Sequence, residues 1–229
     1  MRFTLRQKAN IILTEYNLGG SRLTTVAEYP YLGLTLQSKL SWNSHITKVT
    51  KKANKMLGLI RRNLRDSPQK LRQQAYYSLV RSQLDYCSNV WYPFTKKDID
   101  RVEMVQRRAA RYVLRRYSHR DSVTSMLKEL KWDTLEKRRQ VDSLTMLYKI
   151  RTNSIGINPA CYLTPMLPTV TRQYHPARYQ VIPTRIKLYQ YSFFPRSVEQ
   201  WNALKPKVLT FICTAPSVET FVEGLSATP

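Results

Sequence analysis

The spacing of cationic side chains in one segment of this chain could bind phosphate groups. With about 100° of rotation per residue, residues 46–64 predict a helix whose apolar side chains form a single stripe. The segment holds no acidic residue, so its cations repel one another, and a phosphate backbone would relieve that repulsion. A solvated lysine face on a helix that packs by its other side is the alternative interpretation. The cations that fall opposite the stripe are Lys48, Lys51, Lys52, Lys55 and Arg62.

A second cationic face follows farther along the chain. Residues 99–113 predict another amphipathic helix, with Thr95 as its N-cap and Asp98 as the capping partner. The run Lys137-Arg138-Arg139 opposes the dipole of a later predicted helix, and we interpret it as a further contact point. Two cationic faces in one unit favour a shared polyanion. The cations of the second face are Arg107, Arg108, Arg111 and Arg115.

The overall charge also indicates an anionic partner. The 229 residues contain 38 Lys and Arg against 15 Asp and Glu, a net charge of +23 with a pI near 10.2. Residues 44–153 carry +16 of that excess. Such a charge favours nucleic acid first and an acidic membrane second. No apolar run approaches the roughly 20 residues of a membrane span, so we expect no membrane partner.

Hydrolytic and redox chemistry lack the patterns that they need. The three histidines, His45, His119 and His175, do not have metal-ligand spacing, and phosphate-cradling and nucleophile motifs are missing. Asp98 and Asp100 fall in the first turn of a basic helix, where acids complement the helix dipole. We therefore expect no catalytic residue, no metal site, no cofactor and no small-molecule substrate.

Cysteine usage bears on the compartment. Cys87, Cys161 and Cys213 are odd in number and widely spaced, which argues against a disulfide framework and against a zinc site. The N-terminal residues lack the long apolar stretch that is typical of a secretory signal peptide. We expect an intracellular protein, in the nucleus, the cytoplasm or both.

Three regions differ in composition and hydrophobic pattern, and together they predict an α+β, mostly α fold. Residues 1–43 read as a small sheet, with strands at Ile11–Asn17, Arg22–Ala27 and Tyr31–Leu36 and a hairpin turn at Gly19-Gly20. Residues 44–153 read as an antiparallel helical bundle whose second helix starts at Pro68. The apolar stripe predicted for this second helix comprises Leu71, Ala75, Tyr76, Leu79, Val80, Leu84 and Cys87.

Residues 154–229 are rich in proline and predict an extended tail with two short helices, near residues 195–204 and 217–225. Its aromatic side chains could pin the tail onto the helices or stack on single-stranded bases, and we favour packing. They are Phe193, Phe194, Trp201, Phe211 and Phe221.

Several blocks, taken in order, resemble the C-terminal third of reverse transcriptases from non-LTR (LINE-type, jockey/CR1-like) retrotransposons. The resemblance implies that residues 1–43 end with the hairpin that closes the palm and that residues 44–153 correspond to the thumb, which holds the primer–template duplex. The blocks are YLGLTLQSKLSWNSHI, KKANKMLGLIRRNLR, AYYSLVRSQLDYCSNVWYP, VEMVQRRAARYVL and SFFPRSVEQWNAL.

The same resemblance implies RNA-directed DNA polymerase activity for the whole family protein, with catalytic aspartates and Mg²⁺ in the palm. This chain has no Asp-Asp pair, so those parts should lie upstream of residue 1. We expect a catalytically incomplete fragment that binds RNA, DNA or a hybrid duplex. Two alternatives stay open: an interaction remnant without selected activity, and a chain that completes a fingers–palm part in trans.

Overall fold

The computed structural model describes residues 15–168, 174–215 and 217–226. Two small hairpins come first, and ten α-helices follow within these residues. The predicted α+β, mostly α fold class is confirmed.

The first hairpin forms around the predicted glycine turn. Strands β1 (Asn17–Leu18) and β2 (Ser21–Arg22) pair antiparallel, and Gly19 and Gly20 take φ angles of 58° and 78°. Glycine adopts such angles without steric cost. Both strands are shorter than predicted, and residues 11–14 lie outside the described part of the chain.

The second hairpin shows that the prediction of one strand over Tyr31–Leu36 is wrong. Strand β3 (Glu28–Tyr31) pairs antiparallel with β4 (Leu34–Gln37), and Leu32-Gly33 form the turn between them. Both turn residues have positive φ, 46° and 80°, as a two-residue hairpin turn requires. Tyr86 holds this turn in place, because its hydroxyl donates to the Leu32 carbonyl at 3.1 Å.

Helix α1 (Asn43–Asn63) confirms the first amphipathic prediction. Ile46, Ala53, Leu57 and Ile60 are buried, while Val49, Met56 and Leu64 are half-buried against the same core.

The second predicted helix is divided in three. Helix α2 (Gln69–Tyr76) continues through a π-helical turn (Tyr77–Arg81) into α3 (Ser82–Asp85). Leu71 and Leu79 were predicted on the apolar stripe, but both are exposed. The helix faces the core through a neighbouring set of residues, which includes the buried Arg72, Ala75, Tyr76 and Val80.

Helix α4 (Lys96–Leu114) begins at the predicted Thr95 cap, whose side-chain oxygen accepts from the Asp98 backbone N–H. Arg72 of α2 donates to the Val113 carbonyl at 2.7 Å, and Tyr76 to Gln106 at 3.1 Å, so α2 and α4 run antiparallel. Arg101 contacts Thr47, whereas Tyr112 contacts the Ile60 carbonyl. Helices α1 and α4 therefore run parallel, with α2 antiparallel to both.

Helix α6 (Leu135–Arg151) connects two hydrophobic cores. It follows α5 (Val123–Glu129) and contributes Leu135 to a first core, which it shares with β4 and α1–α5. Farther along, Leu144, Leu147, Tyr148 and Ile150 enter a second core made with the C-terminal helices.

The C-terminal region holds more helix than predicted. Pro159–Cys161 form a short 3₁₀ turn, and α7 (Lys187–Gln190) leads into the longer helices. The predicted helices near 195–204 and 217–225 are confirmed as α8 and α10, and α9 is additional. Their bounds are Phe193–Asn202 for α8, Pro206–Thr214 for α9 and Val218–Ser226 for α10.

Arg196 of α8 links the segment before α4 to α6 from a buried position. Its buried guanidinium lies 3.8 Å from the Tyr92 ring centre and donates to the Tyr191 carbonyl at 3.0 Å and to Ser143 Oγ at 3.3 Å. Burial lowers the pKa of Arg196 to about 10, so it stays charged at neutral pH. Tyr92 belongs to the segment before α4 and Ser143 to α6, so the Arg196 side chain holds these two segments together.

His45 anchors the β3–β4 hairpin to α1. Its Nδ1 accepts the backbone N–H of Thr35 at 3.2 Å, and its ring packs edge-on against Trp42 and Trp91. The side chain is buried, and this burial, helped by nearby Lys48, lowers the pKa of His45 to about 4. The imidazole is therefore neutral in the folded protein.

We expect His45 to make stability depend on pH. Its pKa is lower in the folded state than the ordinary 6.5, so its contribution is complete above pH 6.5 and is lost as pH falls toward 4. The His45→Asn variant keeps an acceptor near Nδ1 but cannot titrate. Urea unfolding should show that the difference in unfolding free energy between the two proteins changes by about 1–3 kcal/mol over this window. A constant difference would show that His45 titrates normally.

Candidate nucleic-acid interface

Polar contacts fill the exposed seam between the parallel helices α1 and α4. Arg101 donates to Thr47 Oγ1 at 2.8 Å, and Arg108 donates to Asn54 Oδ1 at 3.0 Å. Lys51 is four residues after Thr47 and three before Asn54, so it projects beside this seam. The seam is thus lined by cations from both helices.

The structure separates the predicted cations of α1 into two groups. Lys51, Lys55 and Arg62 are exposed, and no carboxylate of the described residues lies within 4 Å of them. They repeat at intervals of four and seven residues and so share one face.

Lys48 and Lys52 are positioned differently. Lys48 pairs with Glu28 of β3 at 3.0 Å, and this hydrogen bond lowers the pKa of Glu28. Lys52 lines a cleft of about 440 Å³ beneath the β3–β4 hairpin, beside Gly33 and Tyr86. The expectation that all five cations of this helix are uncompensated is therefore wrong for Lys48, because a strand outside the helix supplies the acid.

The cations of α4 also divide. Arg108 contacts α1, Arg111 donates to the Ser118 carbonyl at 3.2 Å, and Arg115 lies at the C-terminal end of the helix. Arg107 lies elsewhere, in a hollow of about 250 Å³ that also contains Asp100, Glu103 and Glu136. The structure thus brings six of the nine predicted residues to one surface, which we call the seam surface. They are Lys51, Lys55, Arg62, Arg108, Arg111 and Arg115.

An arginine pocket of about 830 Å³ closes one end of the seam surface, where α1 and α4 both end. Arg61 and Arg65 were not predicted as site residues, although they belong to the same RRNLR run as Arg62. These two residues could have been identified from the clustering of three arginines in that run, but not from their angular position on the helix. The pocket is lined by Gly58, Arg61, Arg62, Arg65, Asp66, Tyr112, Arg115 and Tyr117.

Arg115 holds this pocket together through an unusual backbone conformation. It has φ 55°, the left-handed region that usually favours glycine at a helix end. Its side chain donates to the Arg65 carbonyl, and its Nη2 lies 4.0 Å from Asp66. The guanidinium therefore bridges the C-terminal ends of α1 and α4.

Other arginines are structural and do not contribute to an interface. Arg72 is buried over the Tyr112 ring, and Arg139 is buried 5.1 Å from the Trp91 ring centre. Arg138 pairs with Asp85 at 2.9 Å, and Lys137 with Asp133 at 3.2 Å. Arg138 and Arg139 are thus used for internal pairing and packing, which does not fit the interpretation of this run as a contact point, whereas Lys137 is exposed and pairs with Asp133 at the surface.

The predicted aromatic residues of the tail are mostly used for packing. Trp201 and Phe221 are fully buried, and their rings lie 6.1 Å apart between centres. Phe193 and Phe194 are half-buried against the second core, whereas Phe211 is 52% exposed.

Comparison with known proteins identifies no relative: no family model, no curated protein and no solved structure matches the chain. Across residues 15–168, 174–215 and 217–226, no three His, Cys, Asp or Glu side chains are grouped so that they could hold a metal ion. In the same residues, every helix is too short or too polar to cross a bilayer.

Proposed function

We propose that this chain binds the phosphate backbone of a nucleic-acid duplex through the seam surface and the arginine pocket. The observation that carries the proposal is the parallel arrangement of α1 and α4, which places their cations on one continuous face. Arginine suits this role because its planar guanidinium can bind two phosphate oxygens at once. Backbone contacts of this kind carry no sequence information, so binding should not depend on sequence.

The ligand we propose is an A-form duplex, either RNA or an RNA–DNA hybrid, held as a polymerase thumb holds its primer and template. The support is the set of sequence blocks that resemble non-LTR reverse transcriptases, together with a basic helical unit that follows a hairpin. A-form helices present phosphates and 2′-hydroxyls more readily than base edges, which suits a surface of arginines and lysines.

We propose no polymerase chemistry for the chain itself. Nucleotidyl transfer by two metal ions requires neighbouring carboxylates, and the sequence contains no Asp-Asp pair. If the chain acts with a fingers–palm polypeptide, Mg²⁺ would be held there, and this chain would position the duplex.

A second candidate is a protein-interaction role for the N-terminal hairpins. Every residue from 15 to 32 is exposed, and Leu18 and Leu32 are 72% and 73% exposed. Exposed apolar side chains beside short strands favour contact with another protein. This candidate does not require the cations of α1 and α4.

Salt dependence of binding distinguishes the two candidates. Six to eight cations of the seam surface and pocket can contact phosphates, so affinity for a 16-base-pair RNA–DNA hybrid should fall by roughly 10³–10⁵ between 50 and 200 mM salt. Fluorescence anisotropy at several salt concentrations would measure this slope. Salt-insensitive binding, or no binding at 50 mM salt, would reject the backbone-binding proposal and favour the interaction role.

A further inference from the structure

The arginine pocket differs from the rest of the seam surface because its charge is concentrated and concave. Four guanidinium groups and one carboxylate line it. The carbonyl ends of α1 and α4 also point there, each equivalent to about half a negative charge. The net charge of the pocket is therefore about +2.

This net charge suits a terminal phosphomonoester better than an internal phosphodiester. An internal phosphodiester carries a single negative charge, whereas a terminal phosphomonoester carries about −1.5 to −2 at pH 7. A phosphomonoester also presents three oxygens that can accept from several guanidinium groups at once. Internal phosphates suit the open row of cations along the seam, and a strand end suits the pocket.

The shape of the pocket admits such a group. Gly58 has no side chain, and the Arg62 Nη1 atom lies 3.7 Å from the position that a Cβ on Gly58 would occupy. The Arg62 guanidinium therefore folds back over the helix into the pocket. Arg115 reaches the same space from α4. A phosphate between them would contact both helices.

An aromatic platform lies beside the cations. Tyr117 is 51% exposed, and the Arg61 guanidinium lies 5.5 Å from its ring centre. Tyr112 is different, because it is buried and its hydroxyl donates to the Ile60 carbonyl. An exposed ring next to phosphate-binding arginines can stack a nucleobase, whatever its identity.

We propose that the arginine pocket binds a nucleotide with a terminal phosphomonoester, with Arg62 and Arg115 on the phosphate and Tyr117 against the base. This inference rests on the proposed function, and it adds a preferred position: one end of a strand sits in the pocket. A free nucleoside monophosphate has the same chemistry and is the other possible source of the group.

The test compares 12-base-pair hybrids that differ only at one 5′ end, phosphate against hydroxyl, by fluorescence anisotropy at fixed salt. We expect the phosphorylated hybrid to bind about tenfold more tightly, because charge-assisted hydrogen bonds are gained. A parallel titration with 5′-AMP identifies the source: weak binding by AMP indicates a strand end, and binding as tight as that of the phosphorylated hybrid indicates a free nucleotide.

Two variants show whether the pocket is responsible. Arg115→Gly suits the φ of this position and should lose the tenfold preference, but it also removes the bridge to the Arg65 carbonyl, so it is compared with Arg62→Gln, which leaves that bridge in place. Arg62→Gln should have the same effect from the other helix. Lys55→Gln, on α1 but outside the pocket, should weaken both hybrids equally and leave the preference intact.

Each outcome bears on a different claim. Equal affinity for the two ends in the wild-type protein, or a preference that survives both pocket substitutions, overturns the inference while backbone binding stands. No binding of either hybrid overturns the proposed function, and the inference with it.

Discussion

Removing four cations from the seam surface should nearly abolish duplex binding. The substitutions are Lys51→Gln, Lys55→Gln, Arg62→Gln and Arg115→Gly. We expect affinity at 50 mM salt to fall at least about 100-fold, and the salt slope to decrease by about four, since each lost phosphate contact removes about one unit of slope. Fluorescence anisotropy over a salt series measures both quantities.

A matched control separates local contacts from overall charge. Lys128, Lys187, Lys205 and Lys207 are exposed and lie outside α1 and α4, so changing these four to glutamine removes the same net charge. The control should keep the wild-type slope within about one unit. Equal losses in the two variants would mean that the chain attracts nucleic acid by its total charge and has no defined interface.

The largest expected effect on stability comes from Trp201 in the second core. Its ring is fully buried, stacks near Phe221, and donates through Nε1 to the Ala177 carbonyl at 2.9 Å. We expect Trp201→Ala to lower the free energy of unfolding by about 3–5 kcal/mol, because it leaves a large cavity and an unpaired carbonyl. Urea denaturation followed by circular dichroism measures the loss.

Phe211 provides the comparison for this substitution. It is an aromatic residue of the same region, but it is half exposed on α9. Phe211→Ala should cost about 1 kcal/mol or less, since surface substitutions have small effects. If the two alanine variants were equally stable, Trp201 would not be a core residue of the folded protein.

Periodicity in the sequence predicts the long helices well, and local backbone geometry explains most of the errors. Helices α1 and α4 follow directly from their apolar stripes, and the Thr95 cap is correct. The turn at Leu32-Gly33 was missed, because leucine with positive φ is rare and Gly33 was the one residue of the turn that could have marked it. The π-helical turn after Tyr76 likewise shifts the register of buried residues without any glycine or proline to mark it.

The sequence predicts that the site is cationic, but it does not predict which residues form it. The charge pattern identifies which side chains leave the core, yet it cannot show which of them meet a partner. Lys48 meets Glu28, twenty residues away along the chain, only because the hairpin folds back on α1. Arg107 is one residue from Arg108, but a 100° rotation places it beside Asp100 and Glu103 of its own helix and Glu136 of α6.

Helix α6 sets how the N-terminal and C-terminal halves of the molecule are oriented. Because its two ends are embedded in different cores, a single added or deleted residue near its middle would rotate one half against the other by about 100° and move it by about 1.5 Å. Arg196, which spans the same junction, would lose its partners at once. The length of this helix is therefore as strict a requirement for the architecture as any buried side chain, and changes in chain length are far better accommodated in the loops.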